Sequence, residues 1–160
     1  MTENNSNQPN QDAPIFRMQK MYLKDLSFEN PNAPDVFMTP QTSPKVDLNL
    51  EIKHRKLDDE NWEVTMSITA KVRDEKEGDP KILFIIEIEH AAIFTLKNIP
   101  EEHVKTVLSV DCPTLMFPFT RQIMSQLSVD GGFMPFLMDP VNFMALYQGA
   151  KKNNEGEVKQ

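Results

Sequence analysis

The sequence is poor in cysteine and has no long hydrophobic run. Its single cysteine, Cys112, cannot form a disulfide within the chain, as is usual for proteins of a reducing compartment. The longest aliphatic run covers residues 82–86, whereas a membrane-spanning helix needs about 20 residues. The polar, acidic start of the chain lacks the basic and apolar regions of a secretory signal. These absences predict a cytoplasmic protein that does not insert into a membrane.

Basic residues are outnumbered by acidic ones. The chain has 17 Lys and Arg against 24 Asp and Glu, which gives a formal net charge of −7 at pH 7. Such a chain repels a phosphate backbone, and no segment concentrates Lys and Arg into a stripe. Nucleic acid is therefore not an expected partner.

Residues that commonly carry catalysis or bind metals are also few. His54, His90 and His103 are far apart and lack the spacing of a metal site. No orienting acid accompanies His103 and Cys112, so a buried structural thiol is favoured over a nucleophile. His90 continues the apolar row of its strand, which indicates a histidine that is packed or at a subunit interface. The sequence predicts that the protein is not an enzyme and has no cofactor or metal.

At 160 residues the chain is long enough for one domain with a core. Residues 1–13 are rich in Asn and Gln and are predicted to be a disordered tail. Residues 151–160 are predicted to be a charged, flexible tail. The domain is therefore expected to cover residues 14–150.

Period-two alternation marks the first half of this domain. Every second residue is apolar in 46–53 and in 62–72, and the polar segment 57–61 is predicted to join these strands as a hairpin. Residues 81–96 predict another apolar strand. The apolar pattern of residues 15–28 changes phase, as it would in a strand with two partly covered faces or with a bulge. A sheet of about four antiparallel strands is the expected total.

A proline-rich connection separates the first of these strands from the second. Residues 29–44 contain four prolines, which exclude a helix and remove donors from any strand ladder. The apolar residues Val36, Phe37 and Met38 favour an ordered crossing over the domain rather than a loose linker.

Helical signals begin at Pro100, where a proline followed by two acids suits a first turn. The Cys112–Pro113 step predicts the end of that short helix, and a second helix is predicted to continue through Leu127. Asp139 and Pro140 are predicted as the N-cap and first position of a last helix. Strands followed by helices predict an α+β fold, with the helices packed on one face of the antiparallel sheet.

Met and Phe are concentrated in residues 116–144, which contain five of each. A helix-on-sheet core would account for many of them. Methionine is also favoured where an apolar surface must adapt to several shapes. The composition alone leaves both interpretations open.

Three segments resemble one known family. They are YLKDLSFENPNAP at 22–34, PTLMFPFTR at 113–121 and DPVNFMALY at 139–147. In this order they closely resemble the SecB family of protein-export chaperones, and the resemblance extends over nearly all of residues 15–150. The resemblance implies an ATP-independent chaperone that binds unfolded precursor proteins and delivers them to the motor SecA. It also implies a homotetramer, built as a dimer of dimers.

The resemblance implies sites for three partners. An apolar groove for unfolded substrates would use Phe37, Met38, Met134, Phe136, Met138, Phe143, Leu146 and Tyr147. Contact with SecA would use Asp25, Glu29, Ile85 and Glu87. The oligomer interface would use Phe84, Ile86, Ile88 and His90. The chain departs from many members of the family at Ala91 and Ala92, where they have two glycines.

Two other functions are consistent with the sequence. One is a carrier whose Met and Phe residues enclose a small apolar ligand. The other is a SecB-like chaperone dedicated to a toxin–antitoxin pair.

Overall fold

A computed structural model describes residues 10–75 and 80–157 of the chain. Residues 1–9 of the predicted tail at 1–13 lie outside the described residues. Residues 76–79 of the turn between β-strands and the last three residues, 158–160, also lie outside them.

The strands are long and form a single antiparallel sheet. They are β1 (Ile15–Glu29), β2 (Pro44–Lys56), β3 (Asn61–Asp74) and β4 (Lys81–Lys97), arranged in the order β1-β4-β3-β2. The predicted four-stranded sheet is confirmed. The register of β1 against β4 shifts between Met18 and Lys20 and again between Leu23 and Asp25, so bulges explain the phase change seen in the sequence.

The connection from β1 to β2 crosses the domain and is attached to it at several points. Its only regular structure is a 3-10 turn, Asp35–Phe37, in which Val36 is buried. Asn32 donates a hydrogen bond to the carbonyl oxygen of Ile82 at 2.8 Å. The backbone amides of Thr42 and Ser43 donate to the carboxylate of Asp74. An ordered proline-rich crossing is therefore confirmed.

One correction concerns the helix break predicted at Cys112–Pro113. The helix α1 (Glu101–Thr106) continues through a π turn, Val107–Asp111, directly into α2 (Cys112–Asp130). The Cys112 amide bonds the carbonyl of Val107, five residues back, so the wider turn accommodates the proline that follows. Thr114 also donates to the carbonyl of Val110 at 2.6 Å. The two predicted helices are thus one continuous helical segment.

A second correction concerns the start of the last helix. The helix α3 (Phe143–Glu157) begins after Asn142, and Asp139 and Pro140 lie in the irregular segment before it. Asn142 is the effective N-cap, because its side-chain oxygen accepts a hydrogen bond from the Ala145 amide at 3.0 Å. The helix also continues through 151–157, into the segment expected to be a flexible tail.

The core lies between the helices and one face of the sheet. Met116 and Met124 of α2 are fully buried against strand residues such as Ile86 and Phe94. The opposite face of the sheet has polar and charged residues at alternate positions, for example Glu87 and Thr69. The α+β fold with helices on one face is confirmed. No helix in the described part of the chain has the length and apolar content needed to cross a membrane.

Candidate functional site

Aromatic side chains gather where the crossing segment meets the end of α2. The rings of Phe84 and Phe133 have centroids 4.8 Å apart, and those of Phe37 and Phe133 are 5.2 Å apart. Phe84 also contacts Phe28 at 5.7 Å and Phe136 at 6.2 Å between centroids. Residues far apart in sequence thus form one apolar surface, which continues toward α3.

An open apolar cleft extends from this aromatic cluster along the edge strand β2. It has a volume of about 600 Å³ and lies between Val46 and Leu48 of β2 and the residues 136–142 with Leu146. A second cleft of about 350 Å³ continues past Leu146 to Tyr147 and is bounded by Leu50 and Ile52 of the same strand. Together they form what we call the β2–α3 cleft.

The predicted substrate-binding residues differ in exposure. Phe37, Met38, Met134 and Leu146 are 45%, 82%, 85% and 51% exposed, so they can contact another molecule directly. Phe136 and Tyr147 are half-buried at the border of the core. Met138 and Phe143 are buried, although each lies along the wall of the β2–α3 cleft. The structure therefore divides these residues between core and surface, and five of them line the β2–α3 cleft: Phe136, Met138, Phe143, Leu146 and Tyr147.

Sequence reasoning missed one wall of the cleft. Val46 and Leu48 are 45% and 46% exposed, although their alternation predicted a buried row. They remain exposed because β2 is the edge strand of the sheet and they face the open β2–α3 cleft. Leu137, also exposed, belongs to the same surface. Alternation shows which face of a strand is apolar but does not show whether that strand is central or at an edge.

The residues predicted to contact SecA lie together on the polar face of the sheet. Glu29 is paired with Ile85 across β1 and β4, and the next outward position of β4 is Glu87. Asp25 is paired with Glu89 on the same face. Adjacent strands lie about 4.8 Å apart, so these carboxylates form one acidic surface.

A buried carboxylate adjoins this acidic surface. Glu63 of β3 accepts hydrogen bonds from the Tyr22 hydroxyl, from Lys24 at 3.3 Å and from Arg55 at 3.2 Å. The hydrogen bond from Tyr22 is the largest cause that lowers the pKa of Glu63. Burial, together with Glu63, raises the pKa of Tyr22 to about 12. The network joins β1, β3 and β2 across the polar face.

The residues predicted for the oligomer interface are buried within the chain itself. Phe84, Ile86 and Ile88 belong to the core beneath the helices. His90 is also buried, and its Nδ1 lies 2.8 Å from the hydroxyl oxygen of Thr120 on α2. The packed position expected for His90 is confirmed, and the interface role of all four stays a prediction.

The chemical groups of the described residues are arranged for binding. Within residues 10–75 and 80–157, no cluster of three or more His, Cys, Asp or Glu could hold a metal ion. Cys112 is fully buried, and burial raises the pKa of its thiol, which keeps it protonated and unreactive. What the geometry offers is a broad apolar cleft on one side and an acidic sheet face on another.

These features define a class of protein that binds other macromolecules through open surfaces. The family model for SecB, described as preprotein translocase subunit SecB, matches residues 9–154. The protein-export protein SecB of Desulfotalea psychrophila is 63% identical over 145 residues, which cover 91% of this chain and 92% of that protein. The SecB of Magnetococcus marinus is 42% identical, with coverage of 91% and 90%. The chain belongs to the SecB family of protein-export chaperones.

A solved structure shows the same fold. A SecB-like chaperone of Mycobacterium tuberculosis, in complex with a ChAD peptide from an antitoxin, superposes with a TM-score of 0.65. The two chains share 15% identity, and the match covers 79% of this chain and 90% of the other. The fold is therefore retained across a large divergence of sequence.

Proposed function

We propose that the protein is an ATP-independent cytoplasmic chaperone that holds unfolded preproteins in the β2–α3 cleft and delivers them to SecA. The observation that carries this proposal is the exposure of large apolar side chains around one continuous cleft. Folded proteins bury such side chains, so a surface of this kind selects chains that are not folded.

The energetics favour an assembly with several clefts. Covering ~500 Å² of apolar substrate surface contributes ~12 kcal/mol at ~25 cal/mol per Å². Ordering about eight substrate residues costs on the order of 8 to 16 kcal/mol. One cleft therefore gives a binding free energy near zero, and firm holding requires several contacts on one particle. A homotetramer, the dimer of dimers implied by the family, supplies four clefts.

The acidic surface around Asp25, Glu29, Ile85 and Glu87 is proposed as the contact for SecA. Its carboxylates are exposed on neighbouring strands and lie on the opposite face of the sheet from the helices. Substrate and motor could thus be bound at the same time, as delivery requires.

The two other functions considered from the sequence have less support. A carrier of one small apolar ligand needs a cavity that encloses it, whereas the β2–α3 cleft is open along its length. The support for a function dedicated to an antitoxin is one structural neighbour, whose 15% identity supports only the fold. The relatives with closely similar sequences are named protein-export proteins.

Aggregation of a chemically denatured protein, followed by light scattering after dilution, tests the holding function. The full chain should suppress scattering without ATP once the tetramer is about equimolar with the substrate, and native mass spectrometry should give four times the mass of the chain. Unchanged aggregation, or a copurifying small ligand bound one per chain, would overturn the proposal.

A further inference from the structure

The two most exposed large apolar side chains in the described part of the chain are both methionines. Met134 is 85% exposed and Met38 is 82% exposed, whereas Leu137, the next, is 61% exposed. Each methionine directly follows one member of the ring pair Phe37 and Phe133, whose centroids are 5.2 Å apart. Two segments far apart in sequence thus present their thioethers to solvent beside the aromatic cluster.

The position of these methionines indicates contact with unfolded chains. Methionine is usually buried, and its unbranched thioether adapts to apolar surfaces of many shapes. Phe136 packs against Phe84 of the aromatic cluster and also lines the β2–α3 cleft, so the cluster and the cleft form one surface. A substrate that extends from the cleft onto the cluster would therefore meet Met38 and Met134.

Most other sulfur atoms of the described residues are shielded by the fold. Cys112 is fully buried, and burial raises the pKa of its thiol, so the reactive thiolate is scarce. Met18 and Met21 are half-buried, and Met144 is 41% exposed. The buried methionines are Met66, Met116, Met124 and Met138. Exposure therefore directs an oxidant first to the two methionines beside the aromatic cluster.

We propose that Met38 and Met134 are modification sites for peroxides, and that their oxidation to methionine sulfoxide lowers the affinity of the protein for unfolded chains. The inference rests on the proposed chaperone function. It adds a reversible control of the substrate surface by oxidants.

The reaction needs only the exposed sulfur and the peroxide. A lone pair of the thioether sulfur attacks one oxygen of hydrogen peroxide, the O–O bond breaks, and a bond forms between sulfur and that oxygen. The other oxygen leaves as hydroxide and becomes water when it takes up the proton of the transferred oxygen. The sulfur loses an electron pair and the peroxide gains it. Methionine sulfoxide reductases reverse the change.

Oxidation should weaken substrate binding because it makes the contact polar. The sulfoxide oxygen accepts hydrogen bonds from water, and an apolar substrate segment that covers it removes this water without supplying a donor. Burial of one methionine side chain contributes about a tenfold gain in affinity or more, and that gain would be lost. The fold should remain intact, since side chains as exposed as Met38 and Met134 contribute little to the core.

Limited treatment of the full chain with hydrogen peroxide, followed by removal of the oxidant, tests the proposal. Peptide mapping by mass spectrometry should find added oxygen at Met38 and Met134 before Met144. A labelled apolar peptide that lacks methionine and cysteine should then bind with a dissociation constant at least about tenfold higher, as measured by fluorescence anisotropy. Methionine sulfoxide reductases for both sulfoxide epimers should restore the affinity.

Three variants separate these sulfur atoms from other effects of the oxidant, each compared with its own untreated sample. Met38→Leu combined with Met134→Leu keeps apolar side chains at both sites, and peroxide should leave its affinity unchanged. Met144→Leu removes a less exposed methionine and should lose affinity on oxidation as the wild type does. Met38→Gln combined with Met134→Gln introduces polar amides and should bind more weakly than the wild type without any oxidant.

Equal losses of affinity on oxidation in the wild type and in the double leucine variant would overturn the proposal. Full binding after both methionines are oxidised would do the same, as would a loss of affinity that follows unfolding of the domain in urea. Oxygen uptake at Met38 and Met134 no faster than at Met144 would also contradict us. An untreated chain that binds no unfolded substrate would reject the proposed function and this inference with it.

Discussion

The ring of Phe37 lies against Gly132, so closely that a β-carbon added at Gly132 would stand 2.9 Å from Cζ of the ring. Gly132 also has a φ of 91°, a conformation that side chains other than glycine rarely adopt. The same ring packs on Phe133. One glycine just after α2 thus leaves the space in which Phe37 of the crossing segment packs at the border of the aromatic cluster.

Gly132→Ala should loosen the crossing segment and weaken the holding of unfolded substrate. The added methyl group would strain the backbone and displace Phe37, at an expected cost of about 1 to 3 kcal/mol. Urea unfolding and the aggregation assay measure the two effects. Gly149→Ala is the matched control, because nothing lies within 4 Å of its β-carbon position on α3 and alanine favours a helix. Equal behaviour of the two variants would contradict a role for the Phe37 contact.

Leu146→Glu should weaken substrate holding without destabilising the fold. Leu146 is exposed and borders both parts of the β2–α3 cleft, so a carboxylate there would charge the surface that unfolded chains must cover. Losing one buried leucine contact corresponds to an affinity loss of about tenfold or more. Peptide binding by fluorescence anisotropy measures it, and thermal unfolding checks the fold.

Leu57→Glu controls for the added charge, because Leu57 is also exposed but lies in the hairpin between β2 and β3. It should bind the peptide as the wild type does. A loss of affinity shared by both variants would show that total charge, and not the cleft, governs binding.

Glu87→Lys should abolish or strongly reduce SecA binding while substrate holding remains. Glu87 is exposed at the centre of the acidic surface, and reversing its charge places a cation among Asp25, Glu29 and Glu89. Surface plasmon resonance with purified SecA measures the change, which should be largest at low salt because exposed charges are screened. Glu102→Lys on α1 makes the same charge change away from this face. SecA binding by Glu87→Lys at the wild-type level would reject the acidic surface as the contact.

The strands and the acidic surface could be predicted from the sequence because both depend on local alternation. A period of two determines which residues share a face, and Ile85 and Glu87 accordingly lie together on the polar side of β4. The packing of Phe37 could not be predicted in this way, since its contact with Gly132 joins residues 95 positions apart. No local pattern encodes such a contact.

The division of the Met and Phe residues between core and surface could not be predicted for the same reason. Phe143 is buried against Phe117, with ring centroids 5.8 Å apart, while Met134 is almost fully exposed. Both are apolar and both follow α2 in the chain. Their exposure depends on where the irregular segment before α3 passes over the sheet, which tertiary packing decides.

The network around Glu63 makes the stability of the fold depend on pH in the acid range. Because the hydrogen bonds to Glu63 lower its pKa, they stabilise the folded state fully above the ordinary carboxyl value. That stabilisation is lost as the pH falls through the lowered pKa. Glu63→Gln should therefore cost about 2 kcal/mol of the free energy of unfolding at pH 7 and much less at pH 3. Urea unfolding at one protein concentration measures it, because assembly also contributes to stability.

Glu51→Gln removes a carboxylate from the same face at a site that is 58% exposed and should change stability little at either pH. Tyr22→Phe removes the hydroxyl donor to Glu63 and should raise the pKa of Glu63, so that acid destabilisation begins at a higher pH than in the wild type. If Glu63→Gln and Glu51→Gln lose the same stability at pH 7, the three donors do not act through the buried carboxylate. If Glu63→Gln instead loses as much stability at pH 3 as at pH 7, packing of the Glu63 side chain, rather than its charge, joins the three strands.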